Sequence, residues 1–154
     1  GDIMVDVAVI SAPTVNDTIT QMTQANQENQ SGVIGIFTGV AGNEFVPAAL
    51  GEYVPNIDNP EQAQVFVFKP EFANIYETYR PIAVNSIGEG KVNVCGLGGN
   101  IAKGDLIVAS TMAGKGMKQA DDIIRGYTVA KSREDVIFDT PDQVKMIACV
   151  YVSG

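Results

Sequence analysis

The chain has 154 residues, 45% apolar and 18% charged, with 10 basic against 18 acidic side chains and a net charge of −8. A chain of this length buries roughly 70% of its unfolded surface without disulfide staples, and its apolar content excludes a disordered class for most of its length. The acidic balance, with no tryptophan and no basic cluster, argues against nucleic acid as a partner, because such affinity comes mostly from counterion release by basic side chains.

The first residues, "DIMVDVAVI" (Asp2 to Ile10), are β-branched and partly alternating, which predicts a strand. They lack the basic segment and long apolar core of a signal peptide. After Pro13, Val15, Ile19 and Met22 fall at helix-compatible spacing, with Thr14 as a cap and Gly32 as a stop. Every other position there is polar, so the stripe is too narrow to hold a helix on a large core. It suits a short helix packed on one side, one strand of a multi-chain bundle, or a polar linker. Residues 1–31 are therefore read as a strand plus a polar helix or linker, and residues 32–154 as a β-rich module.

From Gly32 the pattern is β. "GVIGIFTGV" is an apolar run of strand length, with Gly35 at a point where another backbone comes close. "EFVPAALGEYVP" reads as a short strand broken by Pro47, and "NIDNPEQ" as a turn cluster. "AQVFVFK" (Ala63 to Lys69) is apolar on both faces, as expected of a strand buried on two sides or lying at a subunit interface. "YRPIAVNSIGEGKVNVCG" gives a strand, a turn centred on Gly88-Glu89-Gly90, and a second strand. "NIAKGDLIVAS" holds a Lys103-Gly104-Asp105 turn before "LIVA", "MAGKGMKQA" is a further glycine turn, and "GYTVAKS" and "VKMIACVYV" close the series. Strands recurring about every ten residues, punctuated by Gly or Pro, predict an all-β fold: a mainly antiparallel sandwich or barrel of short strands, with one short N-terminal helix at most.

The glycines do not build a phosphate loop. "GLGGNIAKGD" follows a strand but leads into another strand, so no helix start offers free N–H groups to a pyrophosphate. At Gly114-Lys115 the first Walker glycine is Ala109 and the residue after the lysine is Gly116. Gly88, Gly90, Gly98, Gly99, Gly104, Gly114 and Gly116 are instead assigned to hairpin and bulge geometry, with Asp105 bonding the local backbone of its turn.

No catalytic residue, cofactor or metal ligand is assigned. Histidine is absent, which removes the usual general base, most zinc sites and every histidine-based triad. Ser110, Thr111 and Ser132 are nucleophiles only if a base stands nearby. Asp121 and Asp122 beside Arg125, and the run Lys131, Arg133, Glu134 and Asp135, read as solvated turns, and no calcium-loop spacing appears. Cys95 and Cys149, in "VNVCG" and "MIACVYV", read as two buried free thiols. No apolar run reaches the ~20 residues of a membrane span, so no membrane insertion is expected.

The stretch from Pro81 to Asp135, with the closing "VKMIACVYV", resembles the C-terminal module of bacteriophage long tail-fibre and tail-spike proteins, of the type in marine T-even-like phages of cyanobacteria. In that module a strand like "VAVxGxVxV" precedes "I-x-x-G-D-L-L-x-x-S-x-x-x-G-x-A-M-K". Ile101, Gly104, Asp105, Leu106, Ser110, Gly114, Met117 and Lys118 stand in register, with Gly116 where alanine is frequent. "GYTVAKSRE" matches the element that follows. The resemblance covers residues 80–154 well and 32–55 loosely, and it leaves 1–30 uncovered.

It implies a non-enzymatic virion structural protein, made in the host cytoplasm, that forms a homotrimer at a fibre end and attaches to a host-surface receptor, glycan or protein. The attachment loops expected are "NIDNPEQAQ" and "SREDVIFDTPDQ", since loops on a rigid scaffold carry recognition. The two-sided strand with Phe66 and Phe68, and the Val15, Ile19 and Met22 stripe, are the expected oligomer interface. The alternative is an autoproteolytic intramolecular chaperone released from a precursor, although the Ser-Lys dyad or acidic cleavage pair of such modules has no convincing counterpart here. A third possibility, a small-molecule-binding barrel, requires a closed cavity.

Overall fold

The structure is a computed structural model, described over residues 1–12, 14–16, 18–40 and 50–152. Among the described residues, eleven short strands, two 3-10 turns and one short α-helix make up the regular elements, so the fold is all-β, as the spacing of the strands predicts. The chain divides into two compact units. Unit 1 comprises Gly1–Ala8, Gln21–Thr38 and Val84–Gly154; unit 2 comprises Val9–Thr20 and Gly39–Ala83. The expected boundary between residues 31 and 32 thus falls inside a segment of unit 1.

Unit 1 is centred on a closed five-stranded barrel of order β10-β11-β7-β9-β8. Its strands are β7 (Gly88–Cys95), β8 (Leu106–Ala109), β9 (Gly116–Lys118), β10 (Thr128–Ser132) and β11 (Val144–Tyr151). The backbone of this barrel is the long antiparallel pair β7–β11, in unbroken register from Val144 opposite Cys95 to Tyr151 opposite Gly88. Alternation decides what fills it: Val92 and Val94 from β7 and Ile147, Cys149 and Tyr151 from β11 turn inward. Ile107, Ala109 and Val129 join them, with Ile3 and Ile36 in the same cluster. These side chains pack against one another as the core of unit 1.

All four residues of β8 are buried, because Ile107 and Ala109 face the main core while Val108 faces a second cluster with Cys95 and Met117. A continuous apolar run is what a strand covered on both faces requires. The turn before β8 behaves as expected: Gly104 has φ 97°, and Asp105 Oδ2 accepts from Ala102 N at 2.8 Å.

The strands β1 (Ile3–Ser11), β2 (Ile19–Gln24), β3 (Val33–Val40) and β6 (Ile82–Asn85) form a second sheet in the order β2-β1-β3-β6. Within unit 1, Ile3 stands opposite Ile36 and Val5 opposite Val33, with a bulge after Met4. The close approach expected at Gly35 is present: a Cβ there would meet the Asn85 carbonyl carbon at 2.9 Å.

Two expectations need correction. Ile19 and Met22 lie on strand β2, not on a helix, and Val15 lies in a bend. On a strand, positions three apart point to opposite faces, so these residues make no common stripe. The turn expected at Gly88-Glu89-Gly90 is instead the start of β7, and the chain turns at Ser86 and Ile87. β6 and β7 therefore belong to different sheets rather than to one hairpin.

Unit 2 contains the antiparallel hairpin of β4 (Gly51–Pro55) and β5 (Gln64–Phe68), paired from Gly51 opposite Phe68 to Pro55 opposite Gln64. The expected "NIDNPEQ" turn connects them. Asn56 Oδ1 accepts from Asp58 N at 3.2 Å and from Asn59 N at 3.0 Å, an Asx-type brace that fixes the loop. Tyr53, Phe66 and Phe68 pack edge to face at 5.2 and 5.0 Å between ring centroids. A 3-10 turn over Pro70–Phe72 leads into α1 (Ala73–Thr78), so the short helix of this fold follows β5 instead of β1. Residues 44–49 of the expected Pro47-broken strand lie outside the described residues.

Candidate functional site

β11 is apolar on both faces, and the second face is the candidate site. While Ile147, Cys149 and Tyr151 fill the barrel, Val144, Met146, Ala148 and Val150 point the other way. Met146 is 55% exposed, Val144 and Val150 are also exposed, and Ala148 is half-buried. A barrel strand facing water ordinarily alternates apolar with polar. This one does not.

The flanking strands supply the rim. The pairings Met146–Asn93, Ala148–Lys91 and Val150–Glu89 place β7 side chains in one flank, and Val150–Lys131 places β10 in the other. Arg133 pairs with Glu89, and Glu134 Oε1 accepts from Ala148 N at 2.9 Å. Three basic side chains thus border the stripe against two acidic ones, on a chain whose total is −8. The rim is therefore close to charge-balanced, and repulsion between two such faces is weaker than the net charge alone implies.

The stripe is backed by a rigid wall. Tyr151 Oη donates to Lys91 O at 2.8 Å and accepts from Lys91 N at 3.0 Å. Burial pushes the Tyr151 phenol up, with the neighbouring Cys149 adding to the effect, and burial pushes the Cys149 thiol up to about 11. Both cysteines are free and buried, as the sequence predicts.

At the start of β1, Asp2 collects hydrogen bonds from Lys115 Nζ, from Asn93 Nδ2 at 2.7 Å and from Gln24 Nε2 at 2.5 Å. Burial alone would push its carboxyl up. The three donors outweigh that and hold it below the ordinary carboxylate value. Asp105 follows the same balance, with Lys118 and the Ala102 N–H overcoming its desolvation.

Among the glycines assigned to turns, Gly99, Gly104 and Gly114 have positive φ in connections, and Gly88 has positive φ at the start of β7. Gly90, Gly98 and Gly116 are glycine for a different reason, namely close packing. A Cβ on Gly90 would meet the Tyr151 ring carbon Cζ at 2.8 Å, one on Gly98 would meet Lys118 O at 2.7 Å, and one on Gly116 would meet Ile107 Cγ2 at 2.6 Å. Gly116 lies within β9.

Of the five residues expected at an oligomer interface, Phe66 and Phe68 share one side of β5, and Ile19 and Met22 fall on opposite faces of β2. Phe66 is buried in its own hairpin against Tyr53 and Phe68, so a single chain already satisfies that side of β5; Val67 occupies the outer side. Val15 is fully exposed, and Ile19 and Met22 are half-buried on β2. The sequence does carry the signal for the outward row of β11: Val144, Met146, Ala148 and Val150 alternate with Lys145, Ile147, Cys149 and Tyr151.

The hydroxyl groups considered as nucleophiles are engaged in local structure. Ser110 Oγ donates to Lys115 O at 2.8 Å, and Ser132 Oγ donates to Glu134 O at 2.7 Å. Asp121 forms a two-point contact with Arg125, at 2.6 Å to Nη2 and 3.1 Å to Nε, which holds its carboxyl low. Among the described residues, no group of three or more Cys, Asp or Glu side chains is placed to hold a metal ion. Among the described residues, no helix is long and apolar enough to cross a membrane.

Comparison of the chain with protein-family models, with curated proteins and with solved structures finds no match.

Proposed function

We propose that this chain is a non-enzymatic structural and adhesion module that assembles with copies of itself, as a trimer, at the end of a phage tail fibre and contributes to host attachment. The observation that carries the reading is the outward row of Val144, Met146 and Val150 on β11. An apolar barrel face with a charge-balanced rim is what a self-association surface requires, and its burial excludes water from the stripe. Each large apolar side chain withdrawn from water contributes about 1.5–3 kcal/mol when burial is complete.

Three copies in a cyclic arrangement leave no face of this kind uncovered. The in-register resemblance from Ile101 to Lys118 supplies the virion setting. Sedimentation velocity at micromolar concentration tests the proposal. The wild-type chain sediments as a trimer, and Met146→Asp, which places a charge at the centre of the stripe, sediments as a monomer with an unchanged circular dichroism spectrum. A wild-type monomer defeats the reading.

A further inference from the structure

We infer that unit 1 carries a binding cleft for a neutral saccharide, walled by Glu28, Asn29 and Thr111 over an apolar floor of Leu97 and Met117. The cleft is open to solvent and encloses about 470 Å³, within the roughly 300–1,000 Å³ of small-molecule sites.

Three turns build it, and each is held by one polar side chain engaged within its own stretch of chain. Gln30 Oε1 accepts from Asn26 N at 2.8 Å and from Gln27 N at 3.1 Å, fixing the turn that presents Glu28 and Asn29. The Ser110 hydroxyl donates to Lys115 O and accepts from Met112 N at 3.1 Å, fixing the turn that presents Thr111. Buried Gln119 donates to Asp121 Oδ1 and Ile123 O, both at 2.7 Å, and accepts from Thr128 Oγ1 at 2.7 Å, fixing the chain beyond Ala120.

The presented side chains differ from their supports. Glu28, Asn29 and Thr111 make no side-chain hydrogen bond or ion pair among the described residues. Unpaired polar side chains lining one cleft, on turns braced by Gln30 and Ser110, are the arrangement a preorganised site needs. Gly98 completes the floor: because a Cβ there would meet Lys118 O at 2.7 Å, only glycine lets the Leu97 turn lie against β9.

The lining selects the ligand class. A carboxylate accepts, while a carboxamide and a hydroxyl each donate and accept, which together suit a row of hydroxyl groups. Leu97, 45% exposed, offers aliphatic surface to the C–H face of a sugar ring. An anion would meet the Glu28 carboxylate on a chain of charge −8, and the one cation of the lining, Lys118, is already neutralised by Asp105 Oδ2 at 2.8 Å. A wholly apolar ligand would strand three polar groups without partners.

The inference rests on the attachment half of the proposed function for its setting, and the two can fail separately. The test titrates the isotope-labelled chain with the methyl glycosides of glucose, galactose and N-acetylglucosamine, and with methyl glucuronide as the anionic control, following amide shifts by NMR. The oligomeric state is measured in the same samples. Saturable shifts confined to residues 28–29, 97–98, 111 and 117–120 with at least one neutral glycoside support the cleft. Glu28→Ala and Thr111→Ala, both at exposed turn positions, then each weaken binding about tenfold, as loss of one hydrogen bond to a bound hydroxyl implies, while Asp58→Ala in unit 2 leaves it unchanged. No saturable shift with any neutral glycoside, shifts centred elsewhere, or equal binding of the glucuronide overturns it. A trimer that ignores sugars removes this inference alone; a monomer that binds them removes the assembly reading alone.

Discussion

The phenol of Tyr151 closes on the backbone of Lys91, donating to its carbonyl at 2.8 Å and accepting from its N–H at 3.0 Å. The intervening space exists because residue 90 is glycine. A side chain at position 90 would displace the ring, and overpacking of this kind costs about 1–3 kcal/mol. Gly90→Ala is therefore expected to lower the unfolding free energy measured by chemical denaturation by that amount. Tyr151→Phe keeps the ring but forfeits both bonds, for a loss of about 1–2 kcal/mol. If Gly90→Ala proves neutral, the close approach is not a constraint.

The loop after β9 depends on one buried carboxamide. Gln119 ties Asp121, Ile123 and Thr128 together, and Ile123 and Ile124 nevertheless face solvent. Gln119→Leu removes all of these bonds and leaves the Thr128 hydroxyl buried without its acceptor, at an expected cost of about 2–3 kcal/mol. Amide hydrogen exchange at Ile123, whose N–H bonds to Asp121 Oδ1 at 3.2 Å, rises in the same variant.

Acid weakens unit 1 through Asp2 and Asp105. Both have a folded-state pKa below the ordinary 3.8. Their contribution is therefore complete above that value and is lost as pH falls through the lowered folded values. Stability measured from pH 6 down to about pH 2 falls most steeply below about pH 4. Asp2→Asn lowers stability at neutral pH and flattens the acid limb; an unchanged slope counts against the Asp2–Lys115–Asn93–Gln24 cluster.

Both thiols are expected to be protected in the folded chain. Cys95 and Cys149 are fully buried, and the Cys149 thiol, at about 11, holds almost no thiolate at neutral pH. A thiol reagent such as dithionitrobenzoate is expected to label both cysteines only on the timescale of unfolding, with the rate following added urea. Labelling of native protein within seconds contradicts the burial of β7 and β11.

How far the sequence discloses this structure depends on how local each cause is. "VKMIACVYV", "LIVA" and the Gly104-Asp105 turn carry their own patterns, and each forms the expected element. Met22 was ambiguous because a spacing of three serves one face of a helix and two faces of a strand; pairing within the sheet made the choice. The glycine at position 90 answers to a tyrosine 61 residues later, a partner that no local pattern can name. The cleft was equally invisible, since residues 28–29, 97–98 and 111 meet only after the turns are folded. The alternation on β11 was readable, but the setting of its outward row beside Lys91, Lys131 and Arg133 depends on which strands pair with it.

Closure of the five-stranded ring has a consequence for how copies can join. Over Cys149–Tyr151 both sides of β11 are hydrogen-bonded, to β7 and to β10, so Val150 cannot recruit a neighbour by lengthening the ladder. Contact through that end of the strand is restricted to side chains meeting face on.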